Sequence, residues 1–203
     1  MKNIRTWLVL GTMLLGVTVA LAQPQPPIRI RGTITAFDGN ELQVKSREGQ
    51  DVTMHVADTT KVNLLAPIHL SDIKEGSFVG VAALQNGPGN SLQALEVHVF
   101  PEALRGTGEG HYAWDLEPGS SMTNANVDAI VNVNNGKELV LSYKGGSQKI
   151  IVPQGVPLVT FVASDRSQLI PGAKVLVITR REENGDLTAL RISVGKDGMK
   201  PPM

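Results

Sequence analysis

Ile28-Arg-Ile-Arg-Gly-Thr-Ile-Thr-Ala36 is followed by Phe37-Asp-Gly-Asn40 and then by Glu41-Leu-Gln-Val44. Ile28, Ile30, Gly32, Ile34 and Ala36 fall on one face of an extended chain. Arg29, Arg31, Thr33 and Thr35 fall on the other. A period of two means strand. Asp38-Gly39-Asn40 is turn chemistry, because Gly accepts positive φ at little cost. Leu42 and Val44 then point inward, Glu48-Gly49 turns, and Val52, Met54 and Val56 point inward again. Residues 58–76 form a longer connection, with Ser71-Asp72 as the cap of one short helical turn. Val79 with Val81, and Leu95 with Val97 and Val99, complete five strands in about 70 residues. The fold class expected is all-β. A small closed barrel of OB type fits, since an open five-strand sheet would leave two unpaired edges. A two-sheet sandwich spanning both halves is the second choice.

The same grammar returns about 96 residues later. Glu41-Leu-Gln-Val44 matches Glu138-Leu-Val-Leu141, Ile73-Lys-Glu-Gly76 matches Leu169-Ile-Pro-Gly172, and Ala94-Leu-Glu-Val97 matches Ala189-Leu-Arg-Ile192. Three matches in the same order indicate an internal duplication. The expected layout is a leader at 1–22, β-barrel modules at 28–100 and 127–195, a connecting segment at 101–126 and a fraying tail at 196–203. Outward positions of the first module are polar: Thr33, Gln43, His55, Gly80, Glu96 and His98. Their counterparts in the second, Ile130, Val140, Ile151 and Leu176, joined by Ile178, are apolar. A continuous apolar outer face marks an interface, so this face is expected to be covered.

Met1-Lys-Asn-Ile-Arg5 is a basic start, Thr6–Val19 carries no charge, and Ala20-Leu-Ala22 offers small residues for cleavage. This is the pattern of a secretory signal peptide cut after Ala22. The apolar run is shorter than the roughly 20 residues a membrane span needs, and no later stretch approaches one. The expected location is the periplasm or outside the cell, as a soluble chain. Cleavage removes Lys2 and Arg5 and no acid, so a chain with 19 basic and 19 acidic residues becomes slightly acidic. Nothing in that balance suggests nucleic acid, which demands a basic face. Zero cysteine removes disulfides, thiolate zinc sites and cysteine nucleophiles.

Arg105-Gly-Thr-Gly-Glu-Gly-His-Tyr-Ala-Trp-Asp115 has no copy in either module. Tyr112 and Trp114 are two apart, so both rings point the same way in an extended chain. Glu109, His111, Tyr112, Trp114 and Asp115 are the candidate residues for binding a ligand or partner. The rings can equally dock on the apolar face of the second module, and both hold if docking builds a pocket at the junction. The Gly106–Gly110 run is not a phosphate loop, which needs a preceding strand, a following helix and usually a Lys-Ser/Thr pair. His55, Glu96 and His98 are weak metal candidates, being imidazole and carboxylate groups on outward strand positions. No hydrolase motif is present, so no catalytic residue and no cofactor is expected.

The stretch Arg31-Gly-Thr-Ile-Thr-Ala-Phe-Asp-Gly-Asn-Glu-Leu-Gln-Val44, with Leu70-Ser-Asp-Ile-Lys-Glu-Gly-Ser-Phe-Val-Gly-Val81, resembles exported bacterial proteins built of small β-barrel domains of unknown function. Gly108-Glu-Gly-His111 with Trp114-Asp115 also looks like a feature of such proteins. Some sequences of this kind carry a metal transporter permease label, but a permease needs several spans. The resemblance implies the fold and at most an accessory role in the periplasm. The expected function is an exported, non-catalytic binding or interaction module with a protein or envelope partner. The alternatives are an accessory periplasmic metal-binding protein and a structural protein of the cell envelope.

Overall fold

The computed structural model describes residues 26–87 and 91–203. The expected leader, residues 1–22, lies outside the described residues. The chain is all-β, with thirteen strands in one sheet and only single turns of 3-10 helix among the described residues. No described helix is long and apolar enough to cross a membrane.

Six strands precede the connecting segment: β1 (Ile28–Phe37), β2 (Glu41–Ser46), β3 (Asp51–His55), β4 (Lys61–Pro67), β5 (Phe78–Leu84) and β6 (Leu92–Val99). β7 (Gly110–Ala113) belongs to the segment. Six more follow: β8 (Ser121–Val133), β9 (Gly136–Tyr143), β10 (Gly146–Pro153), β11 (Leu158–Ala163), β12 (Lys174–Arg181) and β13 (Leu187–Gly195). The two sets match in detail. Each opens with a strand broken by a bulge, at Ile34/Ala36 and at Val127/Ala129. Each has a single helical turn between its fourth and fifth strands, followed by a positive-φ glycine, Gly76 or Gly172. The fifth strand of each shifts register against the sixth, at Ala82/Ala83 and at Ile178/Thr179.

The strands do not pair within their own half. β1, β2 and β3 form an antiparallel meander, but β1 continues onto β12 and β3 touches β13 in parallel at His55 and Thr188. β12 and β13 pair with each other and close a five-strand ring. In the second ring β8, β9 and β10 form the meander, β8 continues onto β5, and β10 meets β6 in parallel. β5 and β6 close it. The two halves have exchanged their last hairpins, so neither 28–100 nor 127–195 is a self-contained ring. β4 and β11 are the exchange arms. They pair antiparallel with each other, centred on Leu65 and Phe161, and fuse the rings into one sheet.

Three apolar cores result. Ile34, Leu42, Val44, Met54, Val177 and Ile192 fill the first ring. Val79, Val81, Val97, Leu139, Leu141 and Ile150 fill the second. Leu65, Phe78, Phe100, Phe161, Leu176 and Met203 form a third between them. The alternation read from the sequence therefore holds for most inward positions but slips at the bulges, where Phe37 packs on the first core in place of Ala36 and Ala94 on the second in place of Leu95.

Four expectations need correction. The connection 58–76 holds a strand, β4; of the Ser71-Asp72 pair expected to cap its helical turn, Asp72 does so, its carboxylate accepting from His69 N at 2.9 Å. The tail does not fray: Pro201 and Met203 are buried, and Met203 O accepts from Arg31 Nε at 2.8 Å. Gly80, Glu96 and His98 are not solvated outer positions, because all three are buried under the third core and the connecting segment. The apolar outer face is not one surface. Exchange puts Leu176 and Ile178 on the first ring, where Leu176 joins the third core; Val140 and Ile151 stay half-buried on the second, and Ile130, displaced by the bulge at Val127/Ala129, packs on its core instead of facing outward.

Candidate binding cavity

A cavity of about 330 Å³ lies between the rings. It falls within the range of small-molecule sites. One wall comes from β6 and β8, with His98, Phe100, Met122 and Asn124. The facing wall comes from β12 and β13, with Leu176, Ile178, Arg191 and Ser193. Tyr112 and Trp114 of the connecting segment and Arg29 of β1 close a third side. The mouth lies by Tyr112 and Leu190, which line the cavity and are also exposed.

The connecting segment reaches this place by backbone geometry. Gly106, Gly108 and Gly110 all have positive φ, so the chain reverses tightly before β7 pairs with the start of β8. A Cβ on Gly108 would lie 3.0 Å from Asn124 Nδ2. The glycine run therefore serves close approach to Asn124. The Asn124 amide nitrogen donates to Thr107 O and to Tyr112 Oη, both at 3.1 Å. A carbonyl only accepts, which fixes the amide's orientation. Beyond β7, Trp114 N donates to Ser120 O at 2.8 Å and locks the return turn.

The segment also crosses to the first ring. The Arg29 guanidinium sits 3.9 Å from the centroid of the Trp114 ring, a cation–π contact. Tyr112 meets the same ring edge-on at 6.2 Å. Asp115 accepts from Arg31 Nη2 at 2.7 Å and lies 3.7 Å from Arg29. Burial alone would raise the Asp115 pKa, but the Arg31 hydrogen bond and the two positive charges together hold it below the ordinary carboxylate value. Burial pushes the Tyr112 hydroxyl up, partly offset by Arg29.

Two buried polar groups define the floor. Glu96 is fully buried, and His98 Nδ1 lies 3.1 Å from its Oε1. The His98 ring stands edge-on to Phe100 at 4.8 Å and to Phe161 at 5.5 Å. Gly80 supplies the room: a Cβ there would lie 2.0 Å from His98 Nε2 and 2.5 Å from Asn124 Oδ1. Asn124 Oδ1 and Trp114 Nε1 are buried with no hydrogen-bond partner among the described residues. Each such orphan costs about 1–3 kcal/mol. Native structures carry few of them, and both of these belong to residues lining one cavity.

The candidate residues from the sequence separate. Tyr112 and Trp114 line the cavity, and Asp115 anchors the segment through Arg31. His111 Nδ1 lies 2.8 Å from Thr123 Oγ1, and Glu109 accepts from Lys144 N at 2.8 Å. Glu109, His111 and Asp115 therefore engage three different partners and do not converge. Of the metal candidates, Glu96 and His98 meet each other, while His55 is exposed on β3 beside Glu41. No group of three His, Asp or Glu side chains converges among the described residues. Asn124, Phe100, Phe161 and Arg191 were not signalled as site residues, because each sits in an ordinary strand pattern and only the exchange brings them together.

Residues 31–98 match a family described as Domain of unknown function (DUF5666). That stretch is a third of the chain and runs from β1 to the end of β6. No curated protein and no solved structure matches the chain.

Proposed function

We propose that this is an exported, non-catalytic binding module whose site is the cavity between the rings. One observation carries the reading: two unpartnered buried polar groups, Asn124 Oδ1 and Trp114 Nε1, belong to residues lining a single cavity with aromatic walls. Both atoms are shut off from open space, so a bound molecule would restore their hydrogen bonds by turning the Trp114 or Asn124 side chain toward itself. The rings are read as small closed barrels of OB type that arose by duplication. Their support is the matched strand order, the matched bulges and the one parallel contact that closes each ring. Export rests on the leader pattern at 1–22, and the location is the periplasm or the exterior.

Native mass spectrometry of the protein recovered from the exporting cell, without chelator or added metal, tests the function. The expected species begins at Gln23 and carries one small organic molecule. One stoichiometric zinc or copper ion in its place would favour the accessory metal-binding alternative. A bare chain that no small molecule stabilises against heat would overturn the reading and leave a structural or protein-partner role.

A further inference from the structure

Arg29, Ile178 and Arg191 lie in one row across β1, β12 and β13. The two arginines flank Ile178 on the cavity side, and both line the cavity. Their situations differ. Arg29 is committed to the Trp114 ring and to Asp115. Arg191 is half-buried and makes no side-chain hydrogen bond or ion pair with any described residue. Burial pulls its pKa below the ordinary value, with no acid beside it to hold it up. A guanidinium keeps its proton in proteins, so it cannot relieve the desolvation by becoming neutral.

The charges around it leave the position open to an anion. Among the described residues no Asp or Glu side chain lines the cavity. Asp115 is taken by Arg31 and Arg29, and Glu96 by His98. The body of the cavity is apolar, from Phe100, Phe161, Met122, Leu176 and Ile178. Asn124 Oδ1 has no donor among the described residues and is tucked beside Gly80, its own amide hydrogens being spent on Thr107 and Tyr112. A benzene ring is held by an apolar cavity of about 150 Å³, so the roughly doubled volume here admits a ring with polar groups at both ends.

Building on the reading of the cavity as the binding site, the geometry points to a compact apolar or aromatic carboxylate as its ligand. The carboxylate engages Arg191, the ring lies against the aromatic wall, and a hydroxyl at the far end donates to Asn124 Oδ1 once that side chain shifts off Gly80. The arrangement supplies planar, bidentate recognition at one end and discrimination by an unpaired buried acceptor at the other.

Isothermal titration of the exported protein with benzoate, 4-hydroxybenzoate, benzamide and benzylamine tests this. Benzoate is expected to bind at least tenfold tighter than benzamide, 4-hydroxybenzoate tighter still, and benzylamine weakest. Arg191→Met should bring benzoate down to the level of benzamide while benzamide binding persists, which also reports a folded variant. Arg191→Lys should keep a preference for the anion, and Asn124→Leu should abolish the gain from the hydroxyl. Equal binding of benzoate and benzamide to the wild type would overturn the carboxylate assignment and leave the cavity standing as a site. No binding of any probe at millimolar concentration would overturn the site itself.

Discussion

Gly80→Ala is the sharpest perturbation of the cavity floor. The new methyl would sit 2.0 Å from His98 Nε2 and 2.5 Å from Asn124 Oδ1. Neither neighbour can yield cheaply. His98 is held by Glu96 and wedged between Phe100 and Phe161. Asn124 is held by Thr107 and Tyr112. Overpacking of this kind costs about 1–3 kcal/mol. Replacing glycine by alanine returns about 0.4–1 kcal/mol through the unfolded chain. If the His98 ring tips away from Glu96, a buried hydrogen bond to a carboxylate is lost, at about 1.5–3 kcal/mol. The net expectation is a loss of about 1 kcal/mol if the ring stays in place and about 3 kcal/mol if it tips. With a urea slope of about 2 kcal/mol/M, the midpoint falls by about 0.5–1.5 M. Urea unfolding followed by far-ultraviolet circular dichroism measures it, and the imidazole NMR signals of His98 report the displaced ring. Ile170→Ala, at an exposed turn position, is the control and should stay within about 0.5 kcal/mol. A Gly80→Ala protein as stable as wild type, with His98 signals unmoved, would refute the packing argument.

Three further outcomes follow from the same geometry. Because each ring takes strands from both halves, unfolding should be one transition by calorimetry and by circular dichroism. Two separated transitions would contradict the exchange. Met203→Ala should lower stability by about 2 kcal/mol, the low end for core truncations because the adjoining cavity already offers space. A tail that frays would show no change in the same urea assay. The Arg31 and Arg29 charges depress the Asp115 pKa, so its link stabilises the fold above the unfolded carboxylate value of about 3.9 and loses that effect as pH falls through the lower folded value. The melting temperature of wild type should exceed that of Asp115→Asn by a small margin at pH 7, since Asp115 is half-exposed and screened. The margin should shrink as pH falls below the unfolded value. A margin independent of pH would contradict the ion link.

Strand identity was legible in the sequence, and strand partnership was not. Leu42, Val44 and Met54 alternate with polar neighbours, Val79 and Val81 flank Gly80, and that period of two placed them inward correctly. Lys61-Val-Asn-Leu-Leu-Ala-Pro67 has no clean alternation, because β4 pairs on both edges, with β13 and β11, and packs on both faces. It read as a connection for that reason. The exchange of hairpins left no local trace. Two halves with the same grammar present the same strand edges, so β1 can be satisfied by β12 as readily as by its own fifth strand. The site follows the same division. Tyr112 and Trp114 stood out by composition and spacing. Glu96 and His98 stood out as polar positions on an apolar strand, but His98 is packed against Phe161, which arrives from the other half. Arg191 looked like any solvated strand residue until the facing wall was in place.

The central claim is that a small molecule occupies the cavity between the interleaved rings. Methionine-methyl NMR tests it most directly, because Met122 and Met203 line that cavity while Met54 is buried in the core of the first ring. Titrating 4-hydroxybenzoate should shift the Met122 and Met203 methyl signals and leave Met54 in place. A bound probe that moves Met54, or that leaves both Met122 and Met203 unchanged, would contradict the account.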